Sequence, residues 1–247
     1  MVTIDFSPLA AFGKIDFYLL RHGKSEGNHK DIVQGRLDYP LSDEGREQAK
    51  LTGLWFADRG IRVTRATPLA RGAETAKIVC AEAGISAPTP LSDLIELDTG
   101  DFTGMTLDQA KERFPGLWPR FLAKSWDGVN GAESSAVLRR RAEAAWRVLV
   151  GEAARAAALE AAASPGPAGA DGSGSSAGGL PRKAPFAVLA VAHAGILQWL
   201  IKAVSGGESW FPLFPMGHCG VYHLSVEGSV VRWEKLNFQV PGVTGKR

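Results

Sequence analysis

Short apolar, strand-like runs alternate with helix-like segments along this 247-residue chain, and that alternation limits the folds open to it more than any other feature. "IDFYLL" (15–20) reads as a strand, and "SDEGREQAKLTGLWFADRG" opens a helix on Ser42, a good N-cap. That helix places Ala49, Leu51, Leu54 and Trp55 at helical spacing and closes near Gly60. "IRVTRAT" (61–67) and "LARGAETAKIVCAEAG" (69–84) repeat the pair, with Gly84 as the stop. "FAVLAVAHAGILQWLIKAVSGG" (186–207) repeats it again, and "HCGVYHLSVEGSVVRWEKLN" (218–237) reads as a hairpin turning at Glu227-Gly228. Strands alternating with helices predict an α/β fold, a three-layer α/β/α sandwich around a mostly parallel sheet.

Two stretches break the rhythm. Residues 92–135 carry "GDFTG", "FPGLWPRF" and "WDGVNG", too punctuated for core elements, and are expected to form a lid. Trp118, Phe121 and Trp126 in it suit either a small satellite core or a cover over a site, and Arg120 and Lys124 beside them suit an acidic substrate. After a long helix from Ser134 to Ala163 comes "SPGPAGADGSGSSAGGLPRKAP", which has almost nothing to bury. We read about 164–184 as a disordered insertion within one domain spanning 1–247, because the strand, helix and hairpin after it make a poor domain alone.

With 45% hydrophobic and 22% charged residues and a formal net charge of +2, the chain has no basic excess for nucleic acid or an anionic membrane. No run is long enough to span a bilayer, and "MVTIDFSPLAAFG" lacks the basic start of a signal peptide. Cys80 and Cys219, far apart and outside any CxxC, read as reduced thiols, with Cys80 in a helix-packing core. The expected location is cytoplasmic. No oligomer is specified by the pattern.

Two of the five histidines have the same setting. His22, in "FYLLRHGKSEGN", and His193, in "FAVLAVAHAGI", each follow an apolar strand and precede a glycine-containing turn into a helix. In open α/β sheets ligands bind beyond the carboxyl ends of the strands, so both imidazoles, with Arg21 beside one, are expected at one sheet edge. His29, His218 and His223 read as surface or strand residues, with His218 the one to watch near a pocket. No histidine or carboxylate spacing suggests a metal.

"RHGKSEGN" resembles the RHGxSxxN signature of the histidine phosphatase superfamily, phosphoglycerate-mutase-like branch. The resemblance continues through "VQGRLDYPLSDEGREQA", "TPLARGAETA" (Gly72 standing where alanine is usual), "LIELDTGDFTGMT", "GAES" and "VAHAGI" (Ala194 where glycine is common), six strings in the family's order. It implies a metal-independent, cofactor-free hydrolase of small phosphomonoesters acting through a phosphohistidine on His22. Arg21, Arg71 and a protonated His193 would hold the phosphoryl oxygens, as planar forks and a cationic donor can. Glu96 would be the general acid, with Asp98 and Asp101 as competitors. Gly23 would let backbone approach phosphate, and Ser25, Asn28, Gln34, Gly35 and Ala194 would line the substrate pocket or serve turn chemistry.

A cofactor-dependent phosphoglycerate mutase is the nearest alternative, and a non-catalytic phospholigand-binding regulator the alternative of another class. Secreted histidine acid phosphatases fit less well, since they carry RHGxRxP where this chain has Ser25. Hydrolysis is favoured over mutase chemistry because Asp98 and Asp101 would repel a second phosphate, unless Arg113, Arg120 and Lys124 compensate.

Overall fold

The computed structural model describes residues 4–163 and 185–243. Six strands form one mixed sheet in the order β3-β2-β4-β1-β5-β6. They are β1 (Ile15–Arg21), β2 (Ile61–Ala66), β3 (Thr89–Pro90), β4 (Phe186–Ala192), β5 (Val221–Glu227) and β6 (Val230–Phe238). β3, β2, β4 and β1 run parallel, whereas β5 is antiparallel to β1 and β6 to β5. The helices are α1 (Glu26–His29), α2 (Asp43–Phe56), α3 (Ala70–Glu82), α4 (Leu107–Arg113), α5 (Trp118–Lys124), α6 (Ser135–Ala163) and α7 (Ala194–Ser205).

Side-chain alternation along the central strands builds the three layers. Ile15, Phe17 and Leu19 of β1, with Val188, Ala190 and Ala192 of β4, face a core shared with α6 and α7. Tyr18 and Leu20, with Ala187, Leu189 and Val191, face a second core under α2 and α3. All seven residues of β4 are buried, as a strand covered on both faces requires.

The buried face of α2 differs from the expectation. Ala49 is buried and Trp55 packs against the core, but Leu51 and Leu54 are exposed, and the helix also buries Gly45, Gln48, Thr52, Gly53 and Phe56. Small residues on that face allow close approach: a Cβ on Gly53 would lie 2.6 Å from Cβ of Glu82 on α3. The hairpin pairs Glu227 with Val230, so its turn is Gly228-Ser229, one residue later than expected. The expected insertion at 164–184 lies outside the described residues. β4 beyond it pairs with β1 and β2 before it.

Residues 92–135 fold as short helical pieces around Phe102, Ala110 and Val129, with Phe114, Trp118, Phe121 and Trp126 packed on them. Cys80 and Cys219 are buried and free. Among the described residues no helix is long and apolar enough to cross a membrane.

Candidate active site

Register places the two histidines together. β1 and β4 pair in parallel so that Arg21 lies opposite Ala192, and each strand then delivers a histidine to the same edge. The His22 amide donates to the Ala192 carbonyl at 3.0 Å, and the two imidazole centroids stand 5.0 Å apart. Both rings are buried. Burial, followed by the nearby charges of Arg21 and Arg71, holds both pKa values well below the usual histidine range, and His193 adds to the depression at His22. Both are therefore neutral near pH 7.

His22 Nδ1 lies 2.6 Å from the Gly23 carbonyl oxygen. A carbonyl only accepts, so Nδ1 carries the ring proton and Nε2 keeps its lone pair. His193 Nε2 pairs with Thr67 Oγ1 at 2.8 Å, and its Nδ1 is buried without a partner.

Two arginines flank these rings. Arg71, in the first turn of α3, is 1% exposed and donates from Nη1 to Leu37 O and from Nη2 to Gly35 O, both at 2.7 Å. Arg21 donates from Nη1 to Met216 O. The Nε atoms of both are buried and have no hydrogen-bond partner. Buried cationic donors left unpaired are costly, and an anion between them would satisfy both.

Glu96 closes the site. Its Oε1 accepts from Leu97 N at 2.8 Å and Ile196 N at 3.1 Å, and its Oε2 accepts from Gly195 N at 3.1 Å, so it caps the start of α7. Gly195 permits this approach: a Cβ there would lie 2.5 Å from Glu96 Oε1. Burial lowers the pKa of Arg21 and Arg71 below the usual arginine value, and the Glu96 charge partly opposes this by favouring their protonated forms.

A cavity of about 410 Å³ is lined by Arg21, His22, Asn28, Gln34, Gly35, Arg71, Glu96 and Ala194, among others. His193 is buried and does not line it. Gly23 and Ser25 do not line it. A Cβ on Gly23 would meet Gly45 O at 2.5 Å, so this glycine permits the close packing of the strand end against α2. Ser25 caps α1, accepting from Asn28 N at 3.1 Å, and donates to Gln34 at 2.9 Å.

Asp98 and Asp101 do not line the cavity either, nor do Arg113, Arg120 and Lys124. These five residues therefore place no charge on the cavity wall itself. Asp98 accepts from Gly100 N at 3.0 Å, and Asp101 is exposed. From the lid, Phe121, Ser125 and Trp126 reach the cavity, so its aromatics act both as satellite core and as cover.

Sequence reading missed three contributors. Thr67 anchors His193. Arg141 donates to Glu133 Oε2 at 2.7 Å, to Asp93 O at 3.0 Å and to Ile95 O, fixing the segment that carries Glu96. The 209–217 loop supplies Trp210, Leu213, Phe214 and Met216 to the cavity. His218 follows that loop, its ring centroid 6.4 Å from that of His22, and burial with Arg21 and Lys24 nearby pushes its pKa down to about 3. His223 pairs with Asp16 at 2.8 Å, away from the site. Among the described residues no cluster of three His, Cys, Asp or Glu side chains stands ready to hold a metal ion.

The family model described as the histidine phosphatase superfamily (branch 1) matches residues 17–160. Over 97 residues the chain is 33% identical to the uncharacterized phosphatase PhoE of Bacillus subtilis (strain 168), covering 39% of this chain and 50% of that protein. Over 132 residues it is 34% identical to the probable phosphoglycerate mutase GpmB of Salmonella paratyphi B, covering 53% and 61%. The matches thus span half to three fifths of the length of these curated relatives. Among solved structures it resembles Bacillus stearothermophilus YhfR at a TM-score of 0.70 and 21% identity, covering 93% of this chain and 100% of that one. It also resembles a mycobacterial glucosyl-3-phosphoglycerate phosphatase in complex with VO3, at 0.66 and 24%, covering 90% and 98%. The chain belongs to the histidine phosphatase superfamily, in its phosphoglycerate-mutase-like branch.

Proposed function

We propose that this histidine phosphatase superfamily member is a metal-independent phosphomonoester hydrolase that passes the phosphoryl group through His22, and that its described residues act as one domain. The observation that carries the reading is a neutral imidazole, oriented through Nδ1, set beside Arg21 and Arg71, whose buried Nε–H groups have no partner.

A phosphomonoester brings about two negative charges near neutral pH. Arg21 and Arg71 offset them and remain fixed as charge spreads over the equatorial oxygens, which is the main contribution a protein makes to phosphoryl transfer. His22 Nε2 attacks phosphorus, the N–P bond forms, and the P–O bond to the leaving group breaks. The protonated form of Glu96 gives its proton to the departing alkoxide and is left as the carboxylate. In the second half, water attacks the phosphohistidine, Glu96 takes a proton from it, the N–P bond breaks, and inorganic phosphate leaves. His193 is neutral before substrate binds; a phosphate dianion beside it favours the protonated ring.

Relatives carry both phosphatase and mutase names, and the cavity supports the first. Arg21 and Arg71 are the only basic side chains lining it among the described residues. Basic groups nearby are engaged: Arg36 with Glu133 at 3.1 Å, Lys24 with Glu44 at 2.8 Å. A bisphosphorylated cofactor would place its second phosphate where no cation lines the wall. The test supplies 3-phosphoglycerate with and without catalytic 2,3-bisphosphoglycerate and follows free phosphate and 2-phosphoglycerate together. Release of phosphate without bisphosphate dependence is expected. Bisphosphate-dependent interconversion with little phosphate released would replace hydrolase by mutase and leave the phosphohistidine site intact.

A further inference from the structure

Beyond the phosphate-binding residues the cavity has an apolar character that narrows its substrates. Phe121 and Trp126 come from the lid, and Trp210, Leu213, Phe214 and Met216 from the 209–217 loop. That loop is held in place from α7. Gln198 spends both ends of its amide on Phe214, donating to its carbonyl at 2.6 Å and accepting from its N–H at 3.0 Å. Lys202 donates from Nζ to Pro212 O at 2.7 Å, and Trp210 packs edge-on against Trp199. The wall is therefore built before a ligand arrives, which lowers the ordering cost of binding.

Some of the polar groups in the lining are spent on the protein itself, while the amide nitrogens of Asn28 and Gln34 and the Ser125 hydroxyl have no protein partner among the described residues. Besides Gln198, the Gln34 carbonyl accepts from Ser25, and Thr99 Oγ1 pairs with Thr103 Oγ1 at 2.6 Å. A sugar needs unspent donors and acceptors for each hydroxyl, and a carboxylate needs a cation. Leu213, on the same wall, is half exposed to water at 54%. An apolar ligand chain would cover that surface, and a hydroxylated one would gain nothing there.

We infer that this site accepts phosphate monoesters of apolar alcohols, alkyl or aryl, in preference to phosphorylated sugars and phosphorylated acids. The inference rests on the hydrolase reading for turnover but not for binding.

The test compares kcat/KM for ethyl, butyl and hexyl phosphate with that for glycerol 3-phosphate, glucose 6-phosphate and 3-phosphoglycerate, all esters of primary alcohols. In parallel, calorimetry measures binding of methyl-, butyl- and hexylphosphonate. Both the phosphate and phosphonate series should strengthen about fourfold per added methylene until the cavity is filled. Hexyl phosphate should exceed glycerol 3-phosphate by at least about 30-fold on the same scale. Leu213→Asp should collapse the hexyl-to-ethyl ratio. Graded phosphonate binding without turnover of any ester would sustain the apolar subsite and overturn the hydrolase reading. A flat phosphonate series, a ratio untouched by Leu213→Asp, or preference for the sugar or acid phosphates would overturn the subsite.

Discussion

Substituting Gly72 with alanine should damage the site through one methyl group. A Cβ at Gly72 would lie 2.1 Å from Thr67 Cγ2, against the roughly 3.5–4.0 Å at which two carbons rest. Thr67 cannot rotate away freely, because its backbone N–H donates to Val191 O at 2.9 Å and its Oγ1 holds His193 Nε2 at 2.8 Å. Relief must come from turning Thr67 off His193 or from displacing the first turn of α3, which carries Arg71. Overpacking of this kind costs about 1–3 kcal/mol, and alanine's better helix propensity returns about 1 kcal/mol, leaving a net loss of up to about 2 kcal/mol. A displacement of about 1 Å in a catalytic group can cost on the order of 10²-fold, so kcat/KM should fall by one to two orders of magnitude. Thr67→Ser removes Cγ2 and keeps the hydroxyl. Added to Gly72→Ala, it should recover both stability and activity, with a favourable coupling of about 1 kcal/mol or more in urea denaturation of the four-member cycle. The reasoning fails if Gly72→Ala matches wild type, or if Thr67→Ser leaves the Gly72→Ala protein unrescued.

Three further outcomes are expected. Glu96→Gln should slow esters of basic alcohols by about 10²–10⁴-fold and aryl phosphates with acidic leaving groups far less; equal loss on both would remove Glu96 from the proton-transfer role. Lowering pH should destabilise the fold, because His22, His193 and His218 have pKa values depressed below 6.5 in the folded chain. Between each folded value and 6.5 the unfolded chain binds more protons, so stability is full above about pH 6.5 and falls as pH drops, by up to about 1.4 kcal/mol per unit for each group. His218→Asn should flatten that slope between pH 6.5 and about 3, the folded value for His218; a melting temperature equally pH-dependent in both proteins would contradict it. Gly23→Ala should destabilise the chain by about 1–3 kcal/mol through contact with the Gly45 carbonyl, and an unchanged denaturation midpoint would show that the two backbones can separate.

The parts of the fold that were legible in sequence are those governed by local pattern. β1 and β4 announce themselves as apolar runs, and because each ends in a histidine before a glycine-containing turn, the pairing of His22 with His193 follows from sheet topology. Arg71 lies inside a helix with nothing local to distinguish it, and only resemblance to the family's motif pointed to it. The buried face of α2 was misread because hydropathy counts Leu51 and Leu54, whereas the close α2–α3 approach depends on small residues such as Gly53. Asp98 and Asp101 follow Glu96 closely in sequence, yet of the three carboxylates the backbone held by Arg141 and Glu133 brings Glu96 alone to the cavity. The 209–217 loop has no periodicity to read. Its place is set by Gln198 and Lys202, residues of a helix whose own pattern reads as core.

The central claim is that phosphorus becomes bonded to His22. Rapid mixing of enzyme with a phosphomonoester labelled in its phosphoryl group, followed by alkaline denaturation and peptide mapping, should give a base-stable, acid-labile phosphopeptide containing His22. The label should be absent from the His22→Ala protein. Label that survives acid, maps to another residue, or persists in His22→Ala would contradict the account.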